Sequence, residues 1–104
     1  MDLFENVKVE KNANVYFDGK VTSRNIFFTD GTKKTLGVML PGTYEFGTEK
    51  KEIMEIQSGS LKVLLPEETE WKDIKGGTFF EVSANTKFKL EVLELTDYCC
   101  SYID

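Results

Sequence analysis

Glu52 is the residue in this 104-residue sequence whose position most strongly suggests chemistry. Side chains along a strand alternate between two faces, so Glu52 shares a face with Met54 and Ile56. Burying a carboxylate without a partner costs free energy. We therefore expect Glu52 either to have a functional or paired role inside the fold, or to lie at a water-filled mouth.

The segment before Glu52 places two rings and a hydroxyl on one face. Tyr44, Phe46 and Thr48 are spaced two apart, so a strand here points all three in one direction. An aromatic ring can stack on any flat base, because every base has a π-face. The alternative is that Tyr44 and Phe46 simply pack in the core, which is the commoner use of such residues.

Lys20 and Arg24 are the best paired cations in the sequence. They lie at even spacing in one predicted strand and so share a face. A phosphate can be held by one or two cations together with hydroxyls and backbone N–H groups. The alternative for this pair is an ordinary solvated strand face.

Histidine is absent, which removes the commonest neutral-pH base and the commonest transition-metal ligand. Cys99 and Cys100 are adjacent, so they point to opposite faces, and two thiols are too few for a thiolate zinc site. We interpret both as packing residues. The sequence thus predicts activity without a metal or cofactor, which exhaustive chelation should leave intact.

The overall charge and length exclude several classes of protein. A net charge of −5 with a single arginine, Arg24, argues against a nucleic-acid polymer as partner. The start lacks the basic and apolar regions of a secretory signal, and no segment has the roughly 20 apolar residues of a membrane span. We expect one domain over residues 1–104, without a membrane, in the cytoplasm.

The elements that position these residues are predicted to be strands. Short alternating segments are separated by turns that contain Gly or Pro, which is typical of a sandwich or barrel. We expect residues 1–13 to form an N-terminal arm or an added edge strand. Residues 67–73 are the one weak helical candidate, with Trp71 as a core anchor under a loop. The predicted turns are Asp18-Gly19, Asp30-Gly31, Pro41-Gly42, Ser58-Gly59 and Gly76-Gly77.

Two longer segments resemble the motifs of the cupin superfamily. Residues 42–59 resemble the first motif, with Glu52 in its glutamate position, and residues 77–88 resemble the second. Metal-binding cupins have histidines where this chain has Phe46-Gly47-Thr48 and Phe88. The resemblance implies an all-β, single-domain cupin-like β-barrel (jelly roll) that lacks the metal ligands of the superfamily.

A narrower resemblance is carried by segments that occur in one order over about residues 15–102. They are Tyr16-Phe17-Asp18-Gly19-Lys20-Val21, Gly37-Val38-Met39, Gly42-Thr43-Tyr44-Glu45-Phe46-Gly47-Thr48, Glu52-Ile53-Met54 and residues 58–66, with Trp71, Gly77, Phe80, Val82 and Phe88. Together they resemble the pyrimidine/purine nucleoside phosphorylase family of small metal-free cupins. Two departures are Ser83-Ala84-Asn85, in place of a turn with Pro and Gly, and Ser101, where the family often has arginine.

The resemblance implies an activity and a set of roles. The activity is phosphorolysis of purine and pyrimidine nucleosides, with phosphate as co-substrate, to free base and ribose 1-phosphate. Glu52 would then bind ribose hydroxyls or stabilise a cationic sugar as the catalytic group. Tyr44, Phe46 and Thr48 would bind the nucleoside, and Lys20 or Arg24 the phosphate.

Two further expectations concern function and assembly. The alternative function is a cupin that binds a small molecule without turnover. We also expect a homodimer, because exposed sheet edges in short barrels are commonly covered by a second copy. The candidate interface strands are residues 14–21 and residues 98–103.

Overall fold

Tight turns with left-handed backbone conformations divide the chain into short strands. We describe residues 2–104 of a computed structural model. At the second hairpin the Asp30 carboxylate accepts hydrogen bonds from the Thr32 backbone N–H (2.9 Å) and hydroxyl (2.7 Å). Gly31 follows with φ 90°, a conformation that favours glycine. The first hairpin uses Asp18 and Gly19 in the same left-handed region, so both predicted Asp-Gly turns are confirmed.

Eleven strands and one short 3-10 helix follow in chain order. They are β1 (Lys8–Val9), β2 (Asn14–Tyr16), the 3-10 helix (Phe17–Gly19), β3 (Val21–Phe27), β4 (Lys33–Met39), β5 (Gly42–Gly47), β6 (Lys51–Ser58), β7 (Ser60–Leu64), β8 (Lys72–Lys75), β9 (Thr78–Val82), β10 (Lys87–Val92) and β11 (Thr96–Ile103).

The strands form two antiparallel sheets that face each other. The larger sheet has the order β1-β3-β4-β11-β6-β9, and β2 also pairs with β3. The smaller sheet has the order β5-β10-β7-β8. The predicted all-β, single-domain architecture is confirmed. Residues 2–104 contain no helix with the length and apolarity needed to cross a membrane.

The core lies between the two sheets and follows the period of two. Leu61 and Val63 on β7 face Leu90 and Val92 on β10, and all four are buried. Met54 and Ile56 on β6 point into the same space, as predicted. The inward face of each strand was therefore readable from its own alternation.

The N-terminal segment lies against the outer face of the larger sheet. Lys8 and Val9 pair with Phe27 and Ile26, which makes β1 a short edge strand. Before it, the Phe4 ring meets the Phe28 ring edge to face at 5.1 Å.

Two interpretations of the closing half of the chain were wrong. Trp71 is 41% exposed and does not anchor the core, and the segment that follows it is strand β8 rather than a helix. Residues 98–103 cannot supply a free edge, because β11 is paired on one side with β4 and on the other with β6. Neither partner strand is adjacent to β11 in sequence, so local patterning could not indicate this.

Candidate functional site

A cavity of about 660 Å³ opens between the sheets at one end of the barrel. Its size is in the range of small-molecule sites. One wall consists of inward-facing polar side chains of the larger sheet, and the other is aromatic. The lining residues used below are Tyr16, Ser23, Lys33, Thr35, Phe46, Lys50, Glu52, Phe88, Tyr98, Cys100 and Tyr102.

Glu52 lines this cavity from β6, half-buried, on the same face as Met54. Its register partner on β11 is Tyr102. The Cys100 thiol donates a hydrogen bond to Glu52 Oε1, with 3.4 Å between sulfur and oxygen. Burial raises the pKa of Glu52, and the Cys100 hydrogen bond and the positive charge of Lys33 partly oppose that rise. Glu52 is thus a carboxylate with few internal partners that faces a ligand-sized space.

Hydroxyl groups surround Glu52 on the larger sheet. The Tyr102 hydroxyl lies 3.4 Å from the Thr35 hydroxyl, and the Tyr98 hydroxyl donates to the Thr22 carbonyl at 3.4 Å. Burial raises the pKa of both tyrosines and of Cys100, so all three are neutral donors at physiological pH. A wall of neutral hydroxyls around one carboxylate is suited to a polyhydroxylated ligand such as a sugar.

The opposite wall is aromatic and carries few polar atoms. Phe46 on β5 and Phe88 on β10 are register partners, and their rings stack with centroids 5.8 Å apart. Tyr16 approaches Phe46 edge to face at 6.3 Å. These two phenylalanines stand at the positions where metal-binding cupins were expected to have histidines, so this side of the cavity presents rings instead of ligands.

Tyr44 and Thr48 share the inward face with Phe46, as the spacing predicted, but they do not line the cavity. Tyr44 is buried in the core and its hydroxyl donates to the Leu40 carbonyl at 2.6 Å. The Thr48 hydroxyl is likewise used internally, donating to the Ser83 carbonyl at 2.7 Å. Both residues therefore hold β5 in place around Phe46.

Lys20 and Arg24 lie outside the cavity. Lys20 follows the 3-10 helix and is exposed, before β3 begins. Arg24 is exposed on the outer face of β3, since the inward residues of that strand are Val21 and Ser23. The structure therefore does not bring this pair to Glu52. Ser101 also faces away from the cavity, between the inward residues Cys100 and Tyr102.

Two other lysines line the cavity instead. Lys50 forms an ion pair with Asp104 at 2.5 Å. Lys33, the first residue of β4, has its Nζ 4.6 Å from the centroid of the Tyr102 ring. The alternation from Met39 back through Thr35 to Lys33 was a signal that sequence analysis missed. Among residues 2–104, no three Cys, Asp or Glu side chains converge as a metal site.

Comparison with solved structures defines the class of the molecule. A cupin superfamily protein from Desulfitobacterium hafniense superposes with a TM-score of 0.65 at 14% identity, covering 81% of this chain and 78% of that one. At this identity the likeness concerns the fold alone. The predicted cupin-like barrel is confirmed, and its cavity combines a hydroxyl-rich wall, one carboxylate and an aromatic wall.

Comparison of sequences then identifies the family. The family model for pyrimidine/purine nucleoside phosphorylase matches residues 11–102. A pyrimidine/purine nucleoside phosphorylase from Wolinella succinogenes is 60% identical over 99% of this chain and 98% of its own length. A solved protein of unknown function from Acinetobacter has a TM-score of 0.94 at 43% identity, covering 97% of this chain and 98% of that one. The chain belongs to the pyrimidine/purine nucleoside phosphorylase family, and the predicted resemblance is confirmed.

Proposed function

We propose that the cavity binds a nucleoside together with inorganic phosphate and converts them to free base and ribose 1-phosphate. One observation carries this proposal. In a chain of this family, a half-buried carboxylate, Glu52, stands among neutral hydroxyls and faces the stacked rings of Phe46 and Phe88. Sugar, reactive carbon and base each have a chemically suitable part of one cavity.

In the proposed reaction a phosphate oxygen forms a bond to the anomeric carbon while the carbon–nitrogen bond to the base breaks. The bonding electron pair leaves with the base, and the proton of hydrogen phosphate supplies the net proton that the base gains. The sugar becomes cationic in the transition state, and a fixed negative charge beside it is stabilising. Glu52 is the catalytic group in this scheme, and the surrounding hydroxyls orient the ribose.

The aromatic wall accounts for tolerance of both purines and pyrimidines. Phe46 and Phe88 offer ring faces and no hydrogen-bonding groups, so stacking does not discriminate between base edges. We assign base binding to Phe46, which is accessible from the cavity. Tyr44 and Thr48 act indirectly, through the hydrogen bonds that fix β5.

The test is release of base from uridine, cytidine, adenosine and guanosine by the purified protein, with and without phosphate. We expect base and ribose 1-phosphate only when phosphate is present. Release that continues without phosphate would indicate hydrolysis. No release from any of the four nucleosides would leave the alternative, a binding protein without turnover.

We also propose a homodimer formed through β2 and the 3-10 helix. In the described part of the chain β2 has one strand neighbour, β3. Apolar side chains beside it are exposed, with Val15 at 61% and Phe17 at 42%. Light scattering at micromolar concentration should give twice the mass of one chain, and a monomer mass would reject the dimer.

A cytoplasmic location is proposed on the state of the cysteines. Cys99 and Cys100 are both buried, free thiols, which suits a reducing compartment. Recovery of the protein mainly in an oxidising compartment after cell fractionation would contradict this.

A further inference from the structure

Lys33 differs from the other lysines that have a defined environment in this structure. Lys50, Lys51 and Lys72 each form an ion pair, with Asp104, Glu81 and Glu68 respectively. Among residues 2–104, Lys33 has no carboxylate within ion-pair distance, although it lines the cavity. Its ammonium group is instead held 4.6 Å from the centroid of the Tyr102 ring, a cation–π contact. The charge is fixed in position and available to an anion.

The sheet register sets Lys33 and Glu52 on either side of Tyr102. Tyr102 pairs with Glu52 on β6, and on the β4 side the ladder reaches the pair of Ser101 with Lys34, one residue from Lys33. Two strand spacings therefore separate Lys33 from Glu52, roughly 10 Å between backbones. The two opposite charges face one cavity without forming a pair, and the space between them is large enough for a sugar.

The other polar groups near Lys33 suit an oxyanion. The hydroxyls of Tyr102 and Thr35 lie 3.4 Å apart on the same wall and can donate to an acceptor. Two carboxylates at the rim are already engaged: Asp30 accepts hydrogen bonds from Thr32, and Asp104 is paired with Lys50. Their repulsion of an incoming anion is thereby reduced.

We propose that Lys33, assisted by the Tyr102 and Thr35 hydroxyls, binds the attacking phosphate. This inference rests on the proposed function and names the co-substrate site within it. Lysine binds phosphate as a point charge, and its distance from Glu52 places phosphate and sugar carboxylate contacts at different ends of the cavity. The phosphate oxygen then attacks the anomeric carbon from the Lys33 side, while Glu52 remains free to stabilise the cationic sugar.

The test is the steady-state kinetics of Lys33→Ala with Lys34→Ala as matched control. Lys34 is the next residue on β4 and points to the outer face, where its Nζ lies 5.5 Å from the Phe4 ring. For Lys33→Ala we expect the KM for phosphate to rise about tenfold or more, the effect of losing one charge-assisted hydrogen bond. The KM for the nucleoside should change much less, Lys34→Ala should match the wild type, and Lys33→Arg should recover part of the loss.

A second measurement separates this inference from the proposed function. Inorganic phosphate should raise the Tm of the wild type and of Lys34→Ala, and raise it much less for Lys33→Ala, whether or not base is released. An unchanged phosphate KM and an unchanged phosphate-induced Tm shift in Lys33→Ala would overturn the inference. A raised phosphate KM in Lys20→Ala or Arg24→Ala, with Lys33→Ala unaffected, would overturn it in favour of that pair.

Discussion

The two ends of the barrel are built by the same strands and have opposite chemistry. At the closed end, defined by Val21, Ile56, Leu61, Val63, Leu90 and Val92, every side chain is apolar and at most 3% exposed. At the open end, defined by Ser23, Lys33, Thr35, Glu52 and Tyr102, the inward side chains are polar or charged. The period of two selects the face, and position along the strand selects which end a residue serves.

This division lets one small fold be stable and carry a costly site. The closed end removes apolar surface from water, which is the main favourable contribution to folding. The open end keeps Glu52 half-buried with one thiol donor, an arrangement that raises its pKa and costs stability. Substitutions at the closed end should therefore reduce stability, and substitutions at the open end should reduce activity.

The largest expected effect is on the closed end. Leu61→Ala removes a side chain that is 1% exposed between β7 and β10. We expect a loss of about 2–5 kcal/mol in the free energy of unfolding, from lost burial and the cavity left behind. Urea denaturation measures it, and turnover per folded molecule should be unchanged.

Leu64→Ala provides the matched control, because Leu64 is on the same strand and less buried. Its loss of stability should be clearly smaller. Equal losses for the two variants would contradict the assignment of Leu61 to a closed, well-packed end.

The next effect is on the open end. Glu52→Gln keeps the shape of the side chain and removes its charge, so stabilisation of the cationic sugar should be lost. We expect turnover to fall about tenfold or more, about 1.4 kcal/mol of barrier for each factor of ten. Glu55→Gln is the control, since Glu55 lies on the exposed face of the same strand and should leave turnover unchanged.

An unchanged rate in folded Glu52→Gln would make Glu52 a structural residue. The assignment of the catalytic role would then be wrong even if phosphorolysis itself is observed.

Sequence patterns predicted the two ends unequally. Alternation within β6, β7 and β10 identified the core and the inward direction of Glu52, because the face of a side chain is fixed locally. The rest of the open end comes from β4 and β11, and its geometry depends on their pairing with each other and with β6. That pairing joins Thr35 to Cys100 and Glu52 to Tyr102, residues 65 and 50 positions apart. No local pattern encodes such contacts.

The two cation candidates show the same limit in a different way. Lys20 and Arg24 were chosen as neighbours in sequence, yet Arg24 is on the outer face and Lys20 precedes the strand. Alternation alone could have placed Lys33 inward with Thr35. Its relation to Glu52 could not be predicted, since two long-range pairings intervene.

The smallest expected effect is the pH dependence of stability at the open end. Burial raises the pKa of Glu52 above its ordinary value of 4.5, so the folded state binds this proton more tightly than the unfolded state. The contribution of Glu52 to stability is therefore fully present below about pH 4.5 and is lost as the pH rises through the raised pKa. Glutamine resembles the protonated acid and does not titrate. Relative to the wild type, Glu52→Gln should thus gain free energy of unfolding between about pH 4 and about pH 7, whereas the difference for Glu55→Gln should stay flat. Urea denaturation across this range measures both differences. A Glu52→Gln variant that loses ground as the pH rises would mean that the Cys100 hydrogen bond and the charge of Lys33 outweigh the cost of burial, and that the open end is internally paired before any ligand binds.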